Sequence, residues 1–177
     1  MKTLFVALFC LLSTAAFAGD ELRQEMDLAE AYRATNVQQK TFDLASSNMI
    51  EAEKRYLADL FAITDLAVIE RVGTQTSLRT HDKVADNYRI IMARVDALAA
   101  PARLVTVHQQ LRNAIALERE YLDGLRRGLR FDAQSQPVQS VHNTLLWVYG
   151  ELQRLYPQEG TGVREAFYAH LCALDFI

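Results

Sequence analysis

Apolar residues in this chain recur at spacings of three and four and nowhere sustain a spacing of two. Val84, Tyr88, Ile91, Val95 and Leu98 step four, three, four, three, which places all five on one face of a helix. A period near 3.6 cannot bury one face of a strand, so the pattern excludes sheet architectures and requires helices that pack stripe to stripe. With only 7 Gly and 3 Pro in 177 residues, the breaks between helices are few.

The spacing predicts six helical segments. The first covers roughly 20–45, with Leu22, Met26 and Ala29 as its stripe and an interruption at Thr35-Asn36. The second, about 48–72, carries Ile50, Leu57, Phe61, Val68 and Val72. Asn48 with Glu51 three residues on reads as a reciprocal cap at its start, and Gly73 as its stop. The third spans about 78–99 and ends before Pro101, which disfavours helical backbone in the residue ahead of it. The fourth, about 102–127, buries Leu104, Leu111, Ile115, Leu122 and Leu125 and closes at Gly128-Leu129 in a Schellman pattern. Pro137 opens the fifth, whose stripe is Val138, Val141, Leu145, Val148, Leu152 and Leu155. The sixth, about 161–175, turns Val163, Phe167, Leu171 and Leu174 inward. Short connections make neighbours antiparallel. The expected fold is all-α: an up-and-down antiparallel bundle of four long helices with additional helical segments.

The N-terminus has its own grammar. Lys2 precedes an apolar run from Leu4 to Ala16, and Ala16-Phe17-Ala18 supplies small residues flanking a cleavage point before Gly19. Basic, apolar and small-residue regions in that order read as a secretory signal peptide over residues 1–18, cleaved after Ala18. The run of roughly 13 residues falls short of the ~20 that span a bilayer, which argues against a stable membrane anchor. Residues 19–177 form one expected domain, placed in the periplasm or secreted. The compact signal and the preference for Arg over Lys suit a bacterium. Cleavage removes Lys2 from 19 basic residues against 22 acidic ones, a net charge of −4. Nucleic acid and anionic membrane surfaces select clustered positive charge, so neither is an expected partner. Cleavage also removes Cys10 and leaves Cys172 alone, so the core must hold without an internal disulfide.

No phosphate-binding glycine loop, nucleophile triad, metalloprotease motif or haem-attachment motif occurs, and no catalytic residue, cofactor or metal ligand is nominated. His81, His108, His142 and His170 fall one to each of the last four helices. At ~1.5 Å of rise per residue an antiparallel bundle separates His81 from His108 by roughly 25 Å, too far to share an ion. His108 and His170 border apolar stripes, where hydrogen-bonded core-edge histidines are commonest. Cys172 reads as a small buried hydrophobe, with an intermolecular disulfide as the alternative. His170 points about 200° round the helix from it, so the two do not face each other.

Glu118 interrupts the apolar stripe of the fourth helix, between Ile115 and Leu122. A carboxylate there must find a partner or raise its pKa, and Arg112 and Arg89 are the candidate partners. Tyr121 lies beside the same stripe. Trp147 sits one step off the stripe of the fifth helix and is expected to be half-exposed, marking a contact surface.

These features favour a non-enzymatic exported bundle that binds another protein in the bacterial envelope as an adaptor, inhibitor or immunity-type protein. Its contact residues would be drawn from His108, Glu118, Tyr121, Trp147, His170 and Cys172, and its oligomeric state stays open. The alternative is a periplasmic sensor domain for a small ligand or metal. It requires a cavity lined by Tyr88, Tyr121, Tyr149 and His108 or His170, of at least ~300 Å³.

Overall fold

The computed structural model describes residues 26–76 and 81–177, with only the backbone described at 81–83. The expected signal peptide, Cys10 and the His81 side chain lie outside the described residues. Among the described residues six α-helices follow in order: α1 (Leu28–Thr35), α2 (Glu51–Gln75), α3 (His81–Ala97), α4 (Val105–Arg126), α5 (Gln136–Leu155) and α6 (Thr161–Leu174). A 3₁₀ turn over Ala102–Leu104 leads into α4. No strand occurs among the described residues, and no helix there is long and apolar enough to cross a membrane.

Helices α2 to α6 form a closed ring in which each packs on the next and α6 returns to α2. Cross-links fix the directions. Arg103 at the entry to α4 donates to the Leu155 carbonyl at the end of α5, so those two run antiparallel. Near the end of α2, Arg71 donates to the Ala173 carbonyl at the end of α6, so α2 and α6 run parallel. An up-and-down order with five members requires one such parallel pair.

The stripes predicted on α3, α4 and α5 are the buried faces: Val84, Tyr88, Ile91 and Val95, then Leu111, Ile115 and Leu122, then Val138, Val141, Leu145, Val148 and Leu152. Helix α4 ends as its sequence predicts. Gly128 adopts φ 96°, its N–H reaches Leu125, and the Leu129 N–H reaches back to Gly124, both at 3.0 Å.

Helix α2 departs from the reading. It contacts α1, α3, α4 and α6, and Glu53, Thr64, Glu70 and Arg71 are buried along with its apolar residues. Ile50, expected inward, is exposed. The Asn48–Glu51 cap does not form. Instead the buried Glu159 carboxylate accepts the Asn48 N–H at 2.9 Å, and the helix begins after Ile50 without a side-chain cap. Gly73 does not stop it; the helix runs on to Gln75.

The expected 20–45 helix shrinks, among described residues, to the eight residues of α1. Asp27 caps its start by accepting the Glu30 N–H at 2.7 Å, and Asn36 ends it in the left-handed conformation. The segment beyond α1 is irregular yet docked, because Phe42 inserts its ring against Phe61 and Phe167 at 5.6 and 5.9 Å.

Candidate functional site

The six sequence candidates do not converge on one place. His108, early on α4, meets the Tyr56 hydroxyl at 2.9 Å. Partial desolvation lowers its pKa, with Asp96 opposing and Arg112 assisting. Burial raises that of Tyr56. His170 is buried on α6, stacked on Phe61 with ring centroids 4.6 Å apart. Its Nδ1 lies 2.8 Å from Asp65 and 3.1 Å from the Tyr32 hydroxyl, and Tyr32 also donates to Asp65 at 2.7 Å. Desolvation, followed by the Asp65 charge, raises the Tyr32 pKa. This network ties α1 to α2 and α6. Tyr121 accepts the Asp132 N–H at 2.8 Å and packs its ring on Phe176 and Phe131, which closes the loop after α4. These three sets of contacts lie at separate places.

Glu118 is fully buried, as its position in the stripe demanded, but its partner is neither Arg112 nor Arg89. Arg112 bonds Asp96 instead. The guanidinium that faces Glu118 belongs to Arg71 of α2, with Nε 3.8 Å from a carboxylate oxygen. Both are almost wholly excluded from solvent. Tyr88 of α3 faces the same carboxylate, and next to it Asn87 donates to Glu70 at 2.8 Å. Burial raises the Glu118 pKa well above the usual carboxylate range; Arg71 and Tyr88 draw it back, and Asp175 raises it further. Arg71 is held by three more contacts. It donates to Gln75 and to the Ala173 carbonyl, each at 2.6 Å, and its guanidinium lies 5.8 Å from the centroid of the Phe176 ring. Desolvation lowers its pKa, with the Glu118 charge as the main opposing effect.

Of the remaining candidates, Trp147 is half-exposed on α5 and Cys172 lies at the surface where α5 meets α6. A cleft of about 180 Å³ opens there. Leu145, Leu146 and Tyr149 form its α5 wall, Tyr168, Leu171 and Cys172 its α6 wall, and His142, Asp175 and Ile177 its end. Cys172, expected buried, is half-buried and lines this cleft. Its thiol, one turn along from Tyr168, is the main cause of an upward shift in the Tyr168 pKa. A nucleophilic cysteine would instead need an imidazole at its sulfur. His142 is directed elsewhere, with Nδ1 2.6 Å from Asp175. Tyr149 and Tyr168 meet edge to face at 5.7 Å.

The cleft lining includes exposed apolar residues. Leu146, Tyr168 and Ile177 are 54 %, 52 % and 55 % exposed, and Trp147, outside the lining and about 100° further round α5 than Leu146, is 44 % exposed. Trp147 therefore has the half-exposed position its offset from the stripe predicts. Leu146, Tyr168, Ile177 and the His142–Asp175 pair were not legible as a group, since they come from two helices and a tail.

The ligand cavity required by the sensor alternative is not assembled. Tyr88 is packed against Glu118, Tyr121 against Phe176, and Tyr149 against Tyr168 on the surface. Among the described residues no three His, Cys, Asp or Glu side chains are grouped to hold a metal ion. Compared with protein-family models, curated proteins and solved structures, the chain matches none.

Proposed function

We propose that this chain is an exported helical bundle that binds another protein in the bacterial envelope, receiving one large apolar side chain of that partner in the α5–α6 cleft. The observation that carries the reading is the cleft with its exposed lining residues Leu146, Tyr168 and Ile177. Its volume of about 180 Å³ lies below the ~300–1,000 Å³ of small-molecule pockets. It suits a single anchoring side chain, the usual centre of a protein–protein interface. Among the described residues that line it, the only Asp, Glu, His, Lys or Arg side chains are His142 and Asp175, which pair with each other. A charged anchor would lack a free counter-charge there, so the complementary group is apolar. Export and processing after Ala18 rest on the pattern of residues 1–18.

The test is recovery of partner from the native envelope by the mature chain and by the variants Leu146→Asp and Tyr168→Asp. Both positions are about half exposed, so the fold should hold, with a slightly lower melting temperature for Tyr168→Asp, which loses the Tyr149 ring contact. The reading expects a defined partner held by the wild type and lost at least tenfold by each variant. Equal recovery by wild type and variants overturns it, as does a captured species that is only a second copy of the chain.

A further inference from the structure

Four polar atoms from three helices face one another in the interior without a well-formed hydrogen bond: Arg71 Nε, the Tyr88 hydroxyl and both oxygens of Glu118. All three residues are more than nine-tenths buried. Buried polar groups almost always have a hydrogen-bond partner, and several exceptions facing one another point to a bound water or ion. We propose that a water molecule is bound inside the bundle at this point, bridging Arg71, Tyr88 and Glu118.

The chemistry of the three groups selects water. A cation would sit beside the Arg71 guanidinium and an anion beside the Glu118 carboxylate, and each would meet like charge. Water accepts from the Arg71 N–H, donates to Glu118, and either accepts from or donates to the Tyr88 hydroxyl. That gives the roughly three hydrogen bonds typical of buried waters. The spacing agrees. Arg71 Nε and the Glu118 oxygen are 3.8 Å apart, too far for a direct bond. A water about 2.9 Å from each closes a triangle on that base. Arg71 cannot readily move toward Glu118, because its other nitrogens are committed to Gln75 and Ala173. The bridge lets the carboxylate and guanidinium act on each other while the guanidinium keeps closing the end of α6.

The test is a crystal structure of the mature protein at about 1.5 Å resolution, with water-to-protein cross-relaxation measured at the Arg71 Nε proton in solution. The expected result is a solvent peak within hydrogen-bond distance of Arg71 Nε and a Glu118 oxygen, with a bound-water cross-peak. Glu118→Gln keeps an acceptor of the same shape and should keep the peak. The double variant Tyr88→Phe, Glu118→Leu should lose it. A direct Arg71–Glu118 contact with no solvent peak overturns the proposal, as does a peak that persists in the double variant. Should the double variant not fold, the wild-type density and cross-peak still decide.

Discussion

Replacing Arg71 by methionine removes the guanidinium that faces Glu118 and leaves the carboxyl group in the core. Arg71 is 4 % exposed and Glu118 0 %, so solvent cannot take over the lost interaction. Removing one member of such a pair costs about 3–5 kcal/mol. Replacing both, Arg71→Met with Glu118→Leu, removes both charges at similar volume. What stays unrepaired is the Ala173 carbonyl, which Arg71 bonded at 2.6 Å, at about 1–3 kcal/mol. The double variant should therefore be more stable than Arg71→Met alone by about 2 kcal/mol, within the coupling expected for contacting residues.

The penalty should also depend on pH. The native pKa of Glu118 is raised, chiefly by burial, so the folded state binds more protons than the unfolded one. Its contribution is present in full below the unfolded value near ~4.3 and is lost as pH rises through the native value. Arg71 opposes that rise, so Arg71→Met raises the native pKa further and costs most at neutral pH. The assay is urea unfolding followed by far-UV circular dichroism at pH 7 and pH 5, with the urea slope required to stay constant. A double variant less stable than Arg71→Met, or a penalty that grows as pH falls, would refute the reasoning.

Gly128→Ala forces a side chain into φ 96° and should lower stability by about 1 kcal/mol in thermal unfolding. Gly124→Ala meets only the exposed tip of Leu129, with Cδ1 2.5 Å from the new carbon. Leu129 can swing away, and the gain in helix propensity is up to ~1 kcal/mol, so the melting temperature should hold or rise. Asp27→Ala removes the cap on α1 and should cost about 1 kcal/mol, read as faster amide exchange over residues 28–33 than elsewhere. Cys172 lines an open cleft, so one thiol per mature chain should react with a disulfide reagent under native conditions; reaction only after unfolding would place it in the core.

Where a helix has one solvent face, the sequence determines its buried stripe directly, and α3, α4 and α5 follow the spacing of their apolar residues. Helix α2 has neighbours on most sides, so no single stripe describes it and Ile50 is misplaced by the pattern. The Asn48 cap was locally plausible but lost to Glu159, whose carboxylate lies 111 positions along the chain. Such a long-range competitor leaves no local trace. Glu118 was legible as a carboxylate in the wrong company, whereas its partner was not, because Arg71 sits on a helix whose polar residues look solvent-facing in sequence. Trp147 was legible from its offset to the α5 stripe. The cleft depends on how α5 and α6 meet, which spacing along one helix cannot report.

The measurement that bears most directly on the proposed function is site-specific photo-crosslinking in the native envelope. The photoreactive residue is placed at Leu146 on the cleft rim or at Val105, exposed at the start of α4. The account predicts one discrete heterologous adduct from position 146, absent from position 105 and abolished by Tyr168→Asp in the same chain. Identical adducts from both positions, or an adduct at 146 that survives Tyr168→Asp, would contradict it.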